Sequence, residues 1–161
     1  MKRFYIMIMI LLLPAVAFSQ AKRINAILDK YENREDVTSI QLNAAFIGSF
    51  LSSLVDDETK DLVSKINAIR ILSLGTEKSS DTATSLKRDL YRAVDSGEME
   101  NIVNMKEGGQ SVIDVFVSRD SKEVLLFVSS NTKEFTVISM FGNIDKKVIN
   151  AVVSGKISIK K

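Results

Sequence analysis

The fold is decided between residues 111 and 141, SVIDVFVSRDSKEVLLFVSSNTKEFTVISMF. Three apolar runs, SVIDVFVS, EVLLFVSS and FTVISMF, are parted by the polar clusters Arg119-Asp120-Ser121-Lys122 and Asn131-Thr132-Lys133. Runs rich in β-branched and aromatic residues, bounded by turn formers, read as strands. In the first, Ile113, Val115 and Val117 share one face, and Val112 and Phe116 the other. Turns this short join antiparallel neighbours, so the stretch is a meander. One step upstream, residues 99–105 form a further strand, and Gly108-Gly109 marks the turn that joins it. One step downstream, Gly142 ends the run. Asn143 or Asp145 then caps a last helix to about residue 154, with the stripe Ile144, Val148, Ile149 and Val152 and a closing Gly155.

Further upstream the apolar period becomes helical. Leu86, Leu90 and Val94, with Ala83 and Ala93, form one stripe of a helix that Asp81 caps and Gly97 closes. Residues 76–80 are polar loop, and AIRILSL (residues 68–74) reads as a strand ending at Gly75. Before it, Asp56-Asp57-Glu58 suits a helix start, because acids favour the first turn. That helix has Leu62, Val63 and Ile66 as its stripe. NAAFIGSFLSSLV (residues 43–55) has helical spacing at Phe46, Ile47, Phe50, Leu51 and Leu54, with a bend at Gly48. VTSIQL (residues 37–42) alternates as a half-buried strand, and residues 21–33 form a helix with Ile24, Ile27, Leu28 and Tyr31 on one face. This order defines an α+β fold. Its sheet is mainly antiparallel with helices packed on one face, and a C-terminal β-meander is followed by a last helix. No proline follows Pro14 and no repeat interrupts the chain, so residues 20–161 read as a single α+β domain.

Residues 1–19 read differently. Lys2 and Arg3 precede the apolar FYIMIMILLL (residues 4–13), and Ala17 and Ser19 follow as small residues two apart. A basic start, an apolar run and a small-residue cleavage site make a cleaved secretory signal peptide. The run is shorter than the ~20 residues of a membrane span, so no integral span is expected after cleavage. The chain holds 22 Lys+Arg and 20 Asp+Glu, and the excess is Lys2 and Arg3. The 142 residues left after Ser19 are therefore formally neutral. Such a domain is a poor fit to nucleic acid, which requires a basic patch. Its one local basic cluster, Lys156, Lys160 and Lys161, reads as a solvated end.

There is no His and no Cys. That removes the usual proton shuttle near neutral pH, thiolate nucleophiles, disulfides and the commonest transition-metal ligands. It also leaves nothing to acylate, so a lipoprotein is not expected, nor is a cofactor or a metal. Asp56-Asp57-Glu58 with Asp61 is the densest acidic cluster, but it lacks the spacing of a calcium loop. Gly108-Gly109 is a hairpin turn, not a phosphate loop. Ser158 with Lys161, and adjacent Ser64-Lys65, are chance matches to Ser–Lys pairs. Asp114, inside an apolar strand, is the most unusual acid. Its ordinary reading is a satisfied structural carboxylate, with acid–base chemistry as the alternative. Arg70 interrupts an apolar strand as well; it reads as a residue on the solvent face or as a partner for Asp114. Phe46, Phe50, Phe116, Phe127, Phe135 and Phe141 all read as core.

Several stretches in order resemble one family. They are Tyr31-Glu32 leading to Val37-Thr38-Ser39-Ile40, Ile69-Arg70-Ile71-Leu72-Ser73, Glu107-Gly108-Gly109, Glu123-Val124-Leu125-Leu126-Phe127-Val128 and Phe141-Gly142-Asn143-Ile144-Asp145. From about residue 31 to residue 150 the chain resembles the exported Bacteroidota proteins grouped as domain of unknown function 4252 (DUF4252). The resemblance implies a small protein with a signal peptide. Many members are lipoproteins, and this sequence departs from them in having no Cys. None of the shared stretches is catalytic in type.

These observations lead to a non-enzymatic exported module, periplasmic or secreted, that binds a protein or an envelope component. Strand addition at an open edge is one route, with residues 37–42 or the alternating tail 156–161 as the places to look. An accessory regulator of an envelope-stress or sigma-factor circuit is a second reading. A hydrolase using carboxylates is a third, and it requires Asp114, Glu123 and the Asp56–Asp61 cluster to converge.

Overall fold

The computed structural model describes residues 19–51, 53, 56–75, 80–119, 123–131 and 133–154. Residues 1–18, which hold most of the segment read as a signal peptide, the loop 76–79, the turn residues 120–122 and Thr132, and the tail with Gly155, Lys156, Ser158, Lys160 and Lys161 lie outside the described residues.

Among the described residues five α-helices and six strands follow one another as α1 (Gln20–Glu32), β1 (Thr38–Asn43), α2 (Ala44–Phe46), α3 (Asp57–Ser64), β2 (Ile66–Gly75), α4 (Ser80–Val94), β3 (Met99–Glu107), β4 (Gln110–Ser118), β5 (Val124–Ser130), β6 (Glu134–Gly142) and α5 (Lys146–Val153). The strands form one antiparallel sheet in the order β1-β2-β6-β5-β4-β3. The meander of β3 to β6 is as the sequence reads. β2 pairs with β6, and β1 is added outside β2. Both Gly108 (φ 57°) and Gly109 (φ 82°) have the left-handed backbone of a two-residue hairpin turn, which they close between Glu107 and Gln110.

The upper face of the sheet is covered by α1 and α4. Ile24, Leu28 and Tyr31 of α1 and Leu86, Leu90 and Val94 of α4 share a core with Leu72 and Leu74 of β2, Val124, Leu126 and Val128 of β5, and Phe135 and Val137 of β6. α3 and α5 add cover at one end of the lower face. There Ile144 and Val148 pack on Val115, Val117 and Leu125. Ile47, Val63 and Ile66 pack beside Leu42 and Ile69. The continuous run Val124-Leu125-Leu126 is buried on both faces for this reason, and such a strand loses its alternation.

Local departures from the sequence reading have local causes. Ile66, read as the last apolar position of a helix, opens β2 instead, because Lys65 ends α3 and pairing with β6 reaches Gly142. The expected bend at Gly48 is a turn of π-helix over Ile47–Leu51. Phe46, read as core, is 45% exposed on the three-residue helix α2, which is too short to bury a full face. The side chain of Phe50 lies outside the described residues. Phe116, Phe135 and Phe141 are buried, and Phe127 is half-buried.

The segment from Phe141 to Asp145 locks the sheet to its last helix. Gly142 has φ 152°, and a Cβ there would lie 2.1 Å from the carbonyl oxygen of Lys65. The close approach lets the Asn143 N–H donate to that same oxygen at 2.8 Å. Asp145 then caps α5, accepting from the backbone N–H of Lys147 (2.9 Å) and Val148 (3.0 Å). Its other oxygen takes the Lys65 ammonium at 2.7 Å. That ammonium, helped by the Val148 N–H, holds the Asp145 carboxyl below the usual carboxylate range.

Candidate functional site

Asp114 lies on the upper face of β4 and is only 2% exposed. Its carboxylate accepts three hydrogen bonds: from the Tyr91 hydroxyl, from Asn101 Nδ2 at 3.1 Å, and from Asn104 Nδ2. Tyr91 reaches down from α4, held edge-to-face against Phe116 with ring centroids 5.8 Å apart. Burial, with the Asp114 hydrogen bond second, pushes the Tyr91 phenol far above its ordinary pKa, so it remains a donor. Asn101 and Asn104 are three residues apart on β3, a spacing that places side chains on opposite faces of a regular strand. A register shift between Asn101 and Val103 inserts one extra residue and turns both amides to the upper face.

These groups line a cavity of about 470 Å³ with Asp95, Lys106 and Ser111 on its walls. Asn104 Nδ2 also donates to Ser111 Oγ at 2.9 Å. Sequence reading singles out Asp114 but misses Tyr91, Asn101 and Asn104. The bulge that gathers the amides has no marker in the residues themselves.

Arg70 does not reach Asp114, and it does not face solvent. On β2 it points to the upper face, where α1 covers it and leaves its side chain 9% exposed. It pairs with Asp29 at 2.8 Å and Glu32 at 2.7 Å, and donates to Asn25 Oδ1 at 2.8 Å. The two terminal nitrogens of the guanidinium are thus bonded by three residues on one helical face, a geometry suited to its fixed fork of donors, while the buried Nε has no partner among the described residues. Glu32 also accepts from Gln41 of β1, so one carboxylate ties α1 to both outer strands of that end.

The acidic features do not converge. Asp114 is on the upper face, whereas α3 packs on the lower face. Within α3 the acids have structural partners: Asp56 caps the helix by accepting from the Thr59 N–H at 2.8 Å, Asp57 pairs with Lys60, and Asp61 with Lys65. Glu123 immediately precedes β5, and its carbonyl accepts from the Gly142 N–H. Ser64 donates to the Asp61 carbonyl while Lys65 points to Asp145. Among the described residues no three Asp or Glu side chains gather to hold a metal ion, and no helix is long and apolar enough to cross a membrane.

The two sheet edges differ. β3 carries Glu100, Lys106 and Glu107 and two register shifts, which are the usual devices against edge-to-edge pairing. β1, TSIQLN, has no charge, no proline and an unbroken register with β2. From its Ile40, 46% exposed, an apolar row runs inward across the lower face. Ile40 stands opposite Ile71, Ile71 opposite Ile138, and Ile138 opposite Phe127, and none of the four is buried.

All six strands lie inside one family match, to a domain of unknown function over residues 31–152. The chain belongs to the DUF4252 family. No curated protein and no solved structure matches it. The match begins at Tyr31, so most of α1 precedes it, while Glu32 and its partner Arg70 are both inside. The stretches that carry the DUF4252 resemblance are largely structural: the Glu32–Arg70 pair, the Gly108-Gly109 turn, the doubly buried β5 and the Gly142–Asp145 lock.

Proposed function

We propose that this DUF4252 chain is an exported, non-enzymatic interaction module whose β1 edge accepts an extended segment of a partner protein. The observation that carries the reading is β1 itself, an uncharged, unbulged outer strand whose outer edge no strand among the described residues pairs, and which continues into the apolar row Ile40, Ile71, Ile138 and Phe127. Strand addition takes its affinity from backbone hydrogen bonds and its specificity from alternate side chains. The residue of the partner that falls opposite Ile40 extends the row, so an apolar side chain is favoured there. The basic, apolar and small-residue pattern of residues 1–19 supports export. The lack of His and Cys, with the acids spread over both faces, supports binding over catalysis.

A photo-reactive residue at position 40 tests the edge, with position 105 on β3 as its control. The expected result is a discrete cross-linked product from position 40 in intact cells, absent from position 105. A charge at the edge, Ile40→Lys in the chain labelled at position 39, removes the product while leaving the circular dichroism unchanged. Equal yields at both positions, or no product at position 40, would refute the reading. Export is checked separately, by finding the extracytoplasmic chain to begin at Gln20.

A further inference from the structure

We propose that the cavity over β3 and β4 binds a neutral, hydroxyl-rich ligand, a sugar ring, with the carbonyl oxygens of Asn101 and Asn104 as its acceptors. A carboxylate only accepts hydrogen bonds, so the amide that faces it must present its NH₂ end. Asp114 therefore orients both side chains: Asn101 and Asn104 each donate through Nδ2. Asn104 spends its second N–H on Ser111 Oγ. With their NH₂ groups engaged, the carbonyl oxygens of these two exposed residues are the acceptors left for a ligand. The Ser111 hydroxyl, already accepting, keeps its own hydrogen to donate.

The orienting group is buried and triply bonded, which makes the amide arrangement preorganised and not a chance meeting of surface side chains. A volume of about 470 Å³ falls in the range of about 300–1,000 Å³ typical of small-ligand sites. The carboxylate oxygens of Asp114 are engaged by three neutral donors, and the walls also carry Asp95 and Lys106. The lining thus has one net negative charge, which disfavours an anion, while paired acceptors with a hydroxyl donor match vicinal hydroxyl groups. Met99 and Phe116 supply apolar wall for the C–H face of a ring. The cavity is at the β3 end of the sheet, far along it from β1, and the proposal stands independently of strand addition.

The test is nuclear magnetic resonance of the ¹⁵N-labelled chain, following the side-chain amides of Asn101 and Asn104. The probes are glucose, galactose, mannose, N-acetylglucosamine and their disaccharides, with putrescine and inorganic phosphate as charged comparisons. The expected result is a saturable shift of both amides with at least one sugar. Asn104→Ala, which keeps two of the three donors to Asp114 and whose circular dichroism is compared with the parent's, should weaken that sugar about five- to tenfold, the value of one hydrogen bond. No saturation by about 10 mM of any sugar overturns the proposal, since that is weaker than ordinary specific binding. Saturation by putrescine or phosphate alone also overturns it, as does unchanged sugar affinity in Asn104→Ala.

Discussion

Replacing Gly142 by Ala should cost this domain a large part of its stability. The added Cβ would meet the Lys65 carbonyl oxygen at 2.1 Å, and the Asn67 nitrogen and Ile66 Cα at 3.0 Å each. All three are backbone atoms of the β2 start, so no side chain can swing aside. The φ of 152° adds strain that a glycine does not feel. Backbone strain of this kind costs about 1–3 kcal/mol, and forcing an extra carbon into packed structure costs about 1–3 kcal/mol more. The sum, about 2–6 kcal/mol and centred near ~4 kcal/mol, is a large share of the ~5–15 kcal/mol that holds a domain together. In a chain of this size it corresponds to a fall in Tm of about 10–20 °C. Urea unfolding followed by circular dichroism should show a lower midpoint with the slope unchanged. Gly48→Ala is the internal control. Nothing lies within 4 Å of a Cβ at Gly48 and its φ is not positive, so its midpoint should move little. A Gly142→Ala chain within about 1 kcal/mol of the parent would refute the close-approach argument.

Two further changes test the polar ties between α1, α4 and the sheet. Arg70→Met should destabilise by about 1–3 kcal/mol in chemical denaturation, below the cost of breaking a fully buried pair because Asp29 is 62% exposed; adding Glu32→Gln should recover part of the loss in a double-mutant cycle. Asp89 accepts from Lys30 and from Tyr31, and these bonds, Lys30 first, hold its carboxyl below the usual value. A depressed carboxylate contributes stability above its unfolded value, about 3.9, and loses it as pH falls through the folded one. Asp89→Asn should therefore narrow the gap to the parent as urea midpoints are followed below about pH 4, and a gap independent of pH would count against the pairing.

The meander, the α1 and α4 stripes and the last helix were legible because one period ran through each: Leu86, Leu90 and Val94 are all buried as spaced, and Asp145 caps α5 as one of two named candidates. What the residues could not show was set by pairing between distant segments. Arg70 reads as solvent-facing on its own strand; only when α1 lies across β2 do Asn25, Asp29 and Glu32 come within reach. The Asp114 cluster depends on a one-residue bulge in β3, and a period-two reading of that strand places Asn101 and Asn104 on opposite sides. Phe46 departs from its expected burial for a related reason: helical spacing predicts a buried stripe, but only three residues of α-helix precede the π turn.

The placement of Ile40 weighs most in the functional reading. The other stretches by which the chain resembles DUF4252 do internal work: Glu32 holds Arg70, the paired glycines turn a hairpin, β5 fills both cores, and Gly142 admits the Lys65 carbonyl. Ile40, in the stretch Val37-Thr38-Ser39-Ile40, has no such task. The residue is 46% exposed, and among the described residues its strand neighbour is Ile71 alone, itself half-buried. A single exposed isoleucine is ordinary on a protein surface. An exposed isoleucine at an unguarded edge, in register with three further unburied apolar residues, is a contiguous strip that strand addition at β1 would lengthen and begin to cover. β3 shows that this fold can guard an edge with charges and bulges. The absence of both from β1 is what a surface kept for pairing requires, since either device would block the backbone hydrogen bonds of an incoming strand.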